Sequence, residues 1–200
     1  MAVGSAGADR LALLDRAYGP GTRRFLEDVG LAPGMRVVDV GCGIGSVTRW
    51  IAECVGPSGS VIGVDRSADS LRVARERTAH DNVEYVEASA FATGLPRGGF
   101  DLAFSRLLLK HVDRPEDAVA EMRALLRPGG RIACEEAVIE SSSCDPPAPA
   151  HQRLQELSTQ MFARNGTDWQ VARRLYQLIV AQGFAQPRIS YHQPVYARGE

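Results

Sequence analysis

Asp39 stands two residues before a glycine-rich bend, Gly41-Cys42-Gly43-Ile44-Gly45. Glycines at such a bend let the backbone turn tightly and let a ligand approach the main chain. A helix that starts there presents free N–H groups to an anion. The carboxylate narrows the choice of ligand. Beside a pyrophosphate it would be repelled, by about 1 kcal/mol or more at ~4 Å depending on the local dielectric. Beside an ammonium or sulfonium it would be attracted. Asp65, 20 residues past Gly45, has the spacing of a carboxylate that accepts hydrogen bonds from both ribose hydroxyls. The dinucleotide fingerprint needs a third glycine where this chain has Ser46, so the pattern is GxGxG and not GxGxxG.

These residues need particular elements to hold them. Arg36–Val40 is a short valine-rich run that reads as a strand buried on both faces. A helical pattern follows from Val47 to Cys54, closed by Pro57-Ser58-Gly59. Ser60–Val64 is a second strand. Ser67 caps a helix over Ala68–Ala79. Val83–Val86, Phe100–Phe104 and Arg131–Val138 read as further strands. Pro115–Leu126 is a helix with proline in its first turn, stopped by Pro128-Gly129-Gly130. Strands alternating with helices predict a doubly wound, mainly parallel α/β sheet with helices on both faces. Ligands then bind beyond the carboxyl ends of the strands, where strand order reverses. The site must therefore gather residues near 39–46, 65, 89 and 105.

Upstream, Leu11, Leu14, Tyr18, Phe25, Leu26 and Val29 recur at helical spacing, and Gly19-Pro20-Gly21 predicts a break into two helices. The first few residues read as a tail. Downstream, Ser141–Pro149 reads as a loop, followed by helices over Ala150–Ala163 and Asp168–Gln182, then a sixth strand over Arg188–Ala197. The implied division is an N-terminal helical lid over 1–35 and a nucleotide-binding domain over 36–200, with 141–182 on the substrate side.

A ligand with an ammonium for Asp39, a carboxylate for the helix N-terminus and a ribose for Asp65 is S-adenosylmethionine. The stretches Arg36–Glu53, Ser60–Thr78, Val83–Arg97, Phe100–Glu116 and Leu125–Ala137 also resemble, in order and over about half the chain, the small-molecule branch of the class I S-adenosylmethionine-dependent methyltransferases. Gly166–Phe184 resembles a late helix of that branch. The resemblance implies a Rossmann-like methyltransferase fold and assigns roles. Asp39, Gly41, Cys42, Gly43 and Gly45 would hold the methionine end. Asp65 would take the ribose, and Arg66 would flank the adenine. Ser89, Ala90 and Phe91 would lie at the adenine edge, with Ser89 where the family usually has an acid, so its acceptor lacks charge assistance. Ser105 and Arg106 would line the methionine and substrate side.

Methyl transfer is an in-line displacement in which alignment does much of the work. His111 is the candidate base, set against a packing role for the same ring. Tyr18 is a candidate to face the sulfonium by cation–π attraction, set against packing in an amphipathic helix. Two other readings stay open: an NAD-dependent oxidoreductase, against which Asp39 and Ser46 count, and a non-catalytic cofactor-binding protein of the same fold.

Composition excludes other classes. Twenty-three basic and 24 acidic residues leave no basic excess for a polynucleotide partner. No apolar run reaches membrane-spanning length. Four cysteines without a CxxC pair and four scattered histidines predict no metal site. With no export signal, a reduced cytoplasmic compartment is expected. Seventeen residues follow Gly183, enough for one strand and not for its return. The C-terminal hairpin that the resemblance implies is thus incomplete, and its open edge invites pairing with another chain, a homo-oligomer included.

Overall fold

The computed structural model describes residues 5–196, so the expected N-terminal tail and Ala197 lie outside the described residues. Eleven helices and strands follow in the order α1 (Ser5–Val29), β1 (Arg36–Val40), α2 (Ser46–Val55), β2 (Ser60–Asp65), α3 (Ala68–Glu76), β3 (Val83–Glu87), β4 (Phe100–Arg106), α4 (Pro115–Leu125), β5 (Leu126–Glu135), α5 (Pro149–Arg164) and α6 (Val171–Ala181). The five strands form one sheet in the order β3-β2-β1-β4-β5, and every pairing is parallel. Strand order reverses between β1 and β4, where Asp39 pairs with Phe104. In sheets of this kind ligands bind at the carboxyl ends of the strands beside such a reversal.

The alternation of side chains along each strand sends two apolar sets to opposite faces. Val37, Leu102, Phe104 and Ala133 pack against Val47, Ile51 and Val55 of α2 and Leu26 of α1. Val38, Val40, Val64 and Ala103 pack against Val119, Met122 and Leu125 of α4 and Leu178 and Ile179 of α6. Helices thus cover both faces, as the sequence predicts. Arg36, at the outer end of β1, is exposed, while the next four residues are buried. The valine run is therefore a central strand.

Three expectations need correction. Gly19-Pro20-Gly21 does not split the N-terminal region: α1 is one helix with Pro20 inside it. Asp15 and Thr22, seven residues apart on either side of the proline, both hydrogen-bond to Arg106. That shared anchor holds the halves in line. Pro128-Gly129-Gly130 does not delay the fifth strand. β5 begins at Leu126, and the loop is absorbed as an irregularity where Phe100 pairs with Leu126 and Leu102 with Arg131. The sixth strand over Arg188–Ala197 does not form among the described residues. That segment crosses α1 instead: Arg188 Nη2 donates to the Asp28 carbonyl (2.6 Å), and His192 lies against Gly21. No helix among the described residues is long and apolar enough to cross a membrane.

Candidate active site

The glycine bend runs from the end of β1 into α2. Gly41, Gly43 and Gly45 have φ of +79°, +56° and +71°, a region L side chains rarely adopt. Gly45 is the N-cap of α2 and carries no side-chain cap, so no capping oxygen competes for the first-turn amides. A Cβ on Gly45 would run into Tyr85 Oη, and one on Gly41 would sit 2.9 Å from Leu108 Cδ1. Leu11 Cδ1 of α1 lies 3.3 Å from the corresponding point on Gly43. The cradle is roofed by α1 and by the turn after β4.

Two carboxylates frame the bend. Asp39 is 2% exposed, and its Oδ2 accepts from Thr48 Oγ1 of α2 (2.6 Å). Burial pushes its carboxyl up to about 6, against the opposing pull of the Thr48 hydroxyl and the Arg106 guanidinium. Asp65 closes the bend from β2. Its Oδ2 accepts from the Gly43 amide (2.9 Å) and its Oδ1 from the Ser67 amide (2.9 Å). A carboxylate has about four acceptor sites, so capacity for a diol remains. Arg66 beside it is exposed.

The other expected residues are placed as follows. The Cys42 side chain packs against Gly63, and burial raises its thiol well above the ordinary value. It is therefore a packing group and a poor nucleophile. Ser89 is exposed, and its Oγ accepts from the Phe91 amide (3.2 Å). Ala90 and Phe91 are half-buried, and the Phe91 ring carries the Arg114 guanidinium 4.7 Å from its centroid. Ser105 is 1% exposed, and its hydroxyl has no hydrogen-bond partner. Arg106 pairs with Asp15 (3.0 Å) and donates to Thr22 Oγ1 (3.2 Å). The Thr22 hydroxyl in turn donates to Glu135 Oε2 (2.7 Å). Tyr18 lies near Glu135 and Tyr196, and burial raises its phenol. His111 ends a 3-10 turn over Leu109–His111 and stacks on Phe162 of α5 at 5.4 Å. Burial, followed by the nearby Lys110 and Arg10 cations, lowers its imidazole to about 4. The ring is therefore neutral near pH 7 and a weak proton acceptor.

The structure brings Asp39, the glycines, Asp65, Arg106 and the turn carrying His111 to the carboxyl end of the sheet. The sequence reading did not single out Thr48, Asp15, Thr22, Glu135 or Glu136. The Glu135-Glu136 pair at the end of an apolar strand was the one visible signal for any of them. An open cavity of about 570 Å³ lies elsewhere, lined by Glu53, His80, Asp81 and Asn82. Those residues precede β2 and β3, at the sheet end away from the bend.

A parallel sheet of this order with an acidic residue ahead of a glycine bend defines a Rossmann-like nucleotide-binding protein. Residues 38–134 match the family model described as a methyltransferase domain, and that match together with the Rossmann-like methyltransferase fold supports the class I S-adenosylmethionine-dependent methyltransferase family. It is 34% identical over 192 residues to the 37.1 kDa protein in transposon TN4556 of Streptomyces fradiae, covering 92% of this chain and 55% of that protein. It is 37% identical over 115 residues to the ubiquinone/menaquinone biosynthesis C-methyltransferase UbiE of Ectopseudomonas mendocina, covering 55% and 45%. A crystal structure of a SAM-dependent methyltransferase from Aquifex aeolicus superposes with a TM-score of 0.58 at 25% identity, covering 64% of this chain and 70% of that one. The chain spans about half the length of the curated relatives it matches. S-adenosylmethionine is the family's methyl donor. The residues present fit it: an uncapped helix N-terminus, a glycine bend, and carboxylates on both sides.

Proposed function

We propose that this chain is a methyltransferase that binds S-adenosylmethionine at the Asp39–Gly45 bend and transfers its methyl group to a small-molecule acceptor. The observation that carries the reading is the buried Asp39 carboxyl beneath an uncapped glycine bend at the point where strand order reverses. The donor supplies an activated methyl on a cationic sulfur when bound. Asp39 attracts the donor's ammonium, and the first-turn amides of α2 take its carboxylate. Asp65, fixed by the Gly43 and Ser67 amides, accepts from the ribose hydroxyls. Arg66 and Ser89-Ala90-Phe91 lie at the adenine edge. Ser105 and Arg106 border the reacting end, with Tyr18 on the lid side. His111 is neutral but only a weak proton acceptor, so it serves as a base only for an acceptor that gives up its proton readily. Residues 1–35 serve as the lid, 36–200 as the donor-binding domain and 141–182 as the acceptor side. The likeness to a quinone C-methyltransferase supports a small organic acceptor.

Isothermal titration with S-adenosylmethionine, S-adenosylhomocysteine and NAD tests the binding half. Saturable binding of the first two and none of NAD is expected. Binding of NAD alone would replace the proposal with a dinucleotide enzyme. Methyl transfer in a panel of small metabolites tests the catalytic half. Donor binding with no turnover across that panel would leave a cofactor-binding protein.

A further inference from the structure

The segment after β4 is held in an unfavourable shape. Leu107 has φ of +53°, which a branched side chain adopts only where surrounding contacts enforce it. Two contacts from the end of β5 do so. The Leu107 amide donates to the Glu135 carbonyl (2.8 Å). The Leu109 amide donates to Glu136 Oε1 (2.6 Å). The next residue back, Leu108, packs over the glycine bend, its Cδ1 2.9 Å from where a Gly41 Cβ would stand. The far end of the turn places the His111 ring on Phe162. The sole lysine of the chain, Lys110, sits between them and is 7% exposed. Glu136 Oε2 is buried without a hydrogen-bond partner. Burying a carboxyl is costly, and the Lys110 charge and the Leu109, Leu108 and Lys110 amides all offset that cost, so the group is tied to this turn from several residues.

We infer that Glu136 is a positioning residue: its carboxyl clamps the Leu107–His111 turn and thereby fixes Leu108 as one wall of the donor cradle at Gly41. The clamp is local and independent of any ligand. Its value to binding rests on the donor site proposed above, because a wall held in place before binding need not be ordered by it. Burial pushes the Glu136 carboxyl up to about 7, so a neutral acceptor is populated near neutrality. Glutamine preserves that acceptor; methionine has similar volume and lacks it.

The test compares Glu136→Gln and Glu136→Met in the full chain. Amide hydrogen exchange over residues 107–111, with β1 and α4 as internal references, reads the clamp. Exchange at least tenfold faster in the Met variant is expected, with the Gln variant within threefold of wild type. Unchanged exchange in the Met variant overturns the clamp. Calorimetry with S-adenosylhomocysteine reads the wall: a Kd at least fivefold weaker is expected for the Met variant and for Leu108→Ala, which removes the wall and leaves Glu136 in place. Equal Kd values overturn the wall while leaving the clamp. Should the Met variant unfold, Leu108→Ala still decides the wall, and wild-type protection of the Leu109 amide decides the clamp. Absence of binding by wild type overturns the donor site and with it the wall, and the exchange result still judges the clamp by itself.

Discussion

A carboxylate with 2% exposure is a burden unless something compensates it, and at Asp39 the compensation within the chain comes from the Thr48 hydroxyl and the Arg106 guanidinium. Burial raises its carboxyl to about 6, so ionisation above that pH opposes folding. Asp39→Asn keeps an oxygen for Thr48 and removes the charge. Calorimetry is expected to show donor affinity at least tenfold weaker, while the melting temperature at pH 7.5 holds or rises. A lowered melting temperature with intact affinity would make Asp39 a structural group only. His111 behaves in the opposite sense. Its imidazole titrates at about 4, so its contribution to stability is present above the unfolded value of ~6.5 and is lost as pH falls through the folded one. An NMR titration of its ring protons should show a midpoint at least one unit below that of a free histidine. At this scale the sequence is readable where residues gather through local spacing: Asp39, the three glycines and Asp65 form a short pattern, and the structure brings them to one bend. It was silent where a partner comes from a distant segment. Arg106 meets Asp15 across 91 residues and Glu136 meets Leu109 across 27, and neither separation leaves a periodic trace.

Among the elements, α1 departs furthest from its sequence. Proline inside a helix removes one hydrogen bond and costs ~3 kcal/mol relative to alanine. α1 continues through it because its C-terminal half buries Leu26 and Thr22 against the sheet and because Arg106 grips Asp15 on the far side. Pro20→Ala returns the missing N–H, so urea denaturation should show a gain of roughly 1–3 kcal/mol. Asp15→Ala removes the grip. Tryptic cleavage within the first turns of α1, at Arg10 or Arg16, is expected to accelerate severalfold while cleavage within the sheet does not. The remaining elements were legible because each strand or helix carries its own apolar period. The segment after α6 has alternating residues but lies across α1, and alternation alone does not say which surface a chain will meet. The Pro-Gly-Gly stretch misled for a related reason, since a bulge beside β4 accommodates residues that would break an isolated strand.

For the whole molecule, the carboxyls at the strand ends set the pH response. Asp39 rises to about 6, Glu136 to about 7, and Glu135 is also raised, each chiefly by burial. A group whose value is higher in the folded state contributes stability that is fully present below its unfolded value and is lost as pH rises through the folded one. Stability should therefore fall between about pH 4.5 and 7.5 on their account. His111 opposes this over the lower part of the range. Comparing wild type with Glu136→Gln isolates one group: wild type should lose on the order of 3 kcal/mol more across that interval, read from urea midpoints at each pH. Parallel curves would mean that Glu136 does not titrate there.

The reversal of strand order also governs when the molecule can work. β1 pairs with β2 across 24 residues but with β4 across 65, Val38 facing Ile62 on one side and Ala103 on the other. Closing the longer loop costs more chain entropy and comes before any contact rewards it. As the polypeptide emerges, the glycine bend exists early, bounded on one side by a neighbour and on the other by water. The bend acquires its second neighbour only after residue 104 has arrived and docked, so competence to hold a nucleoside is a late event in the life of the chain.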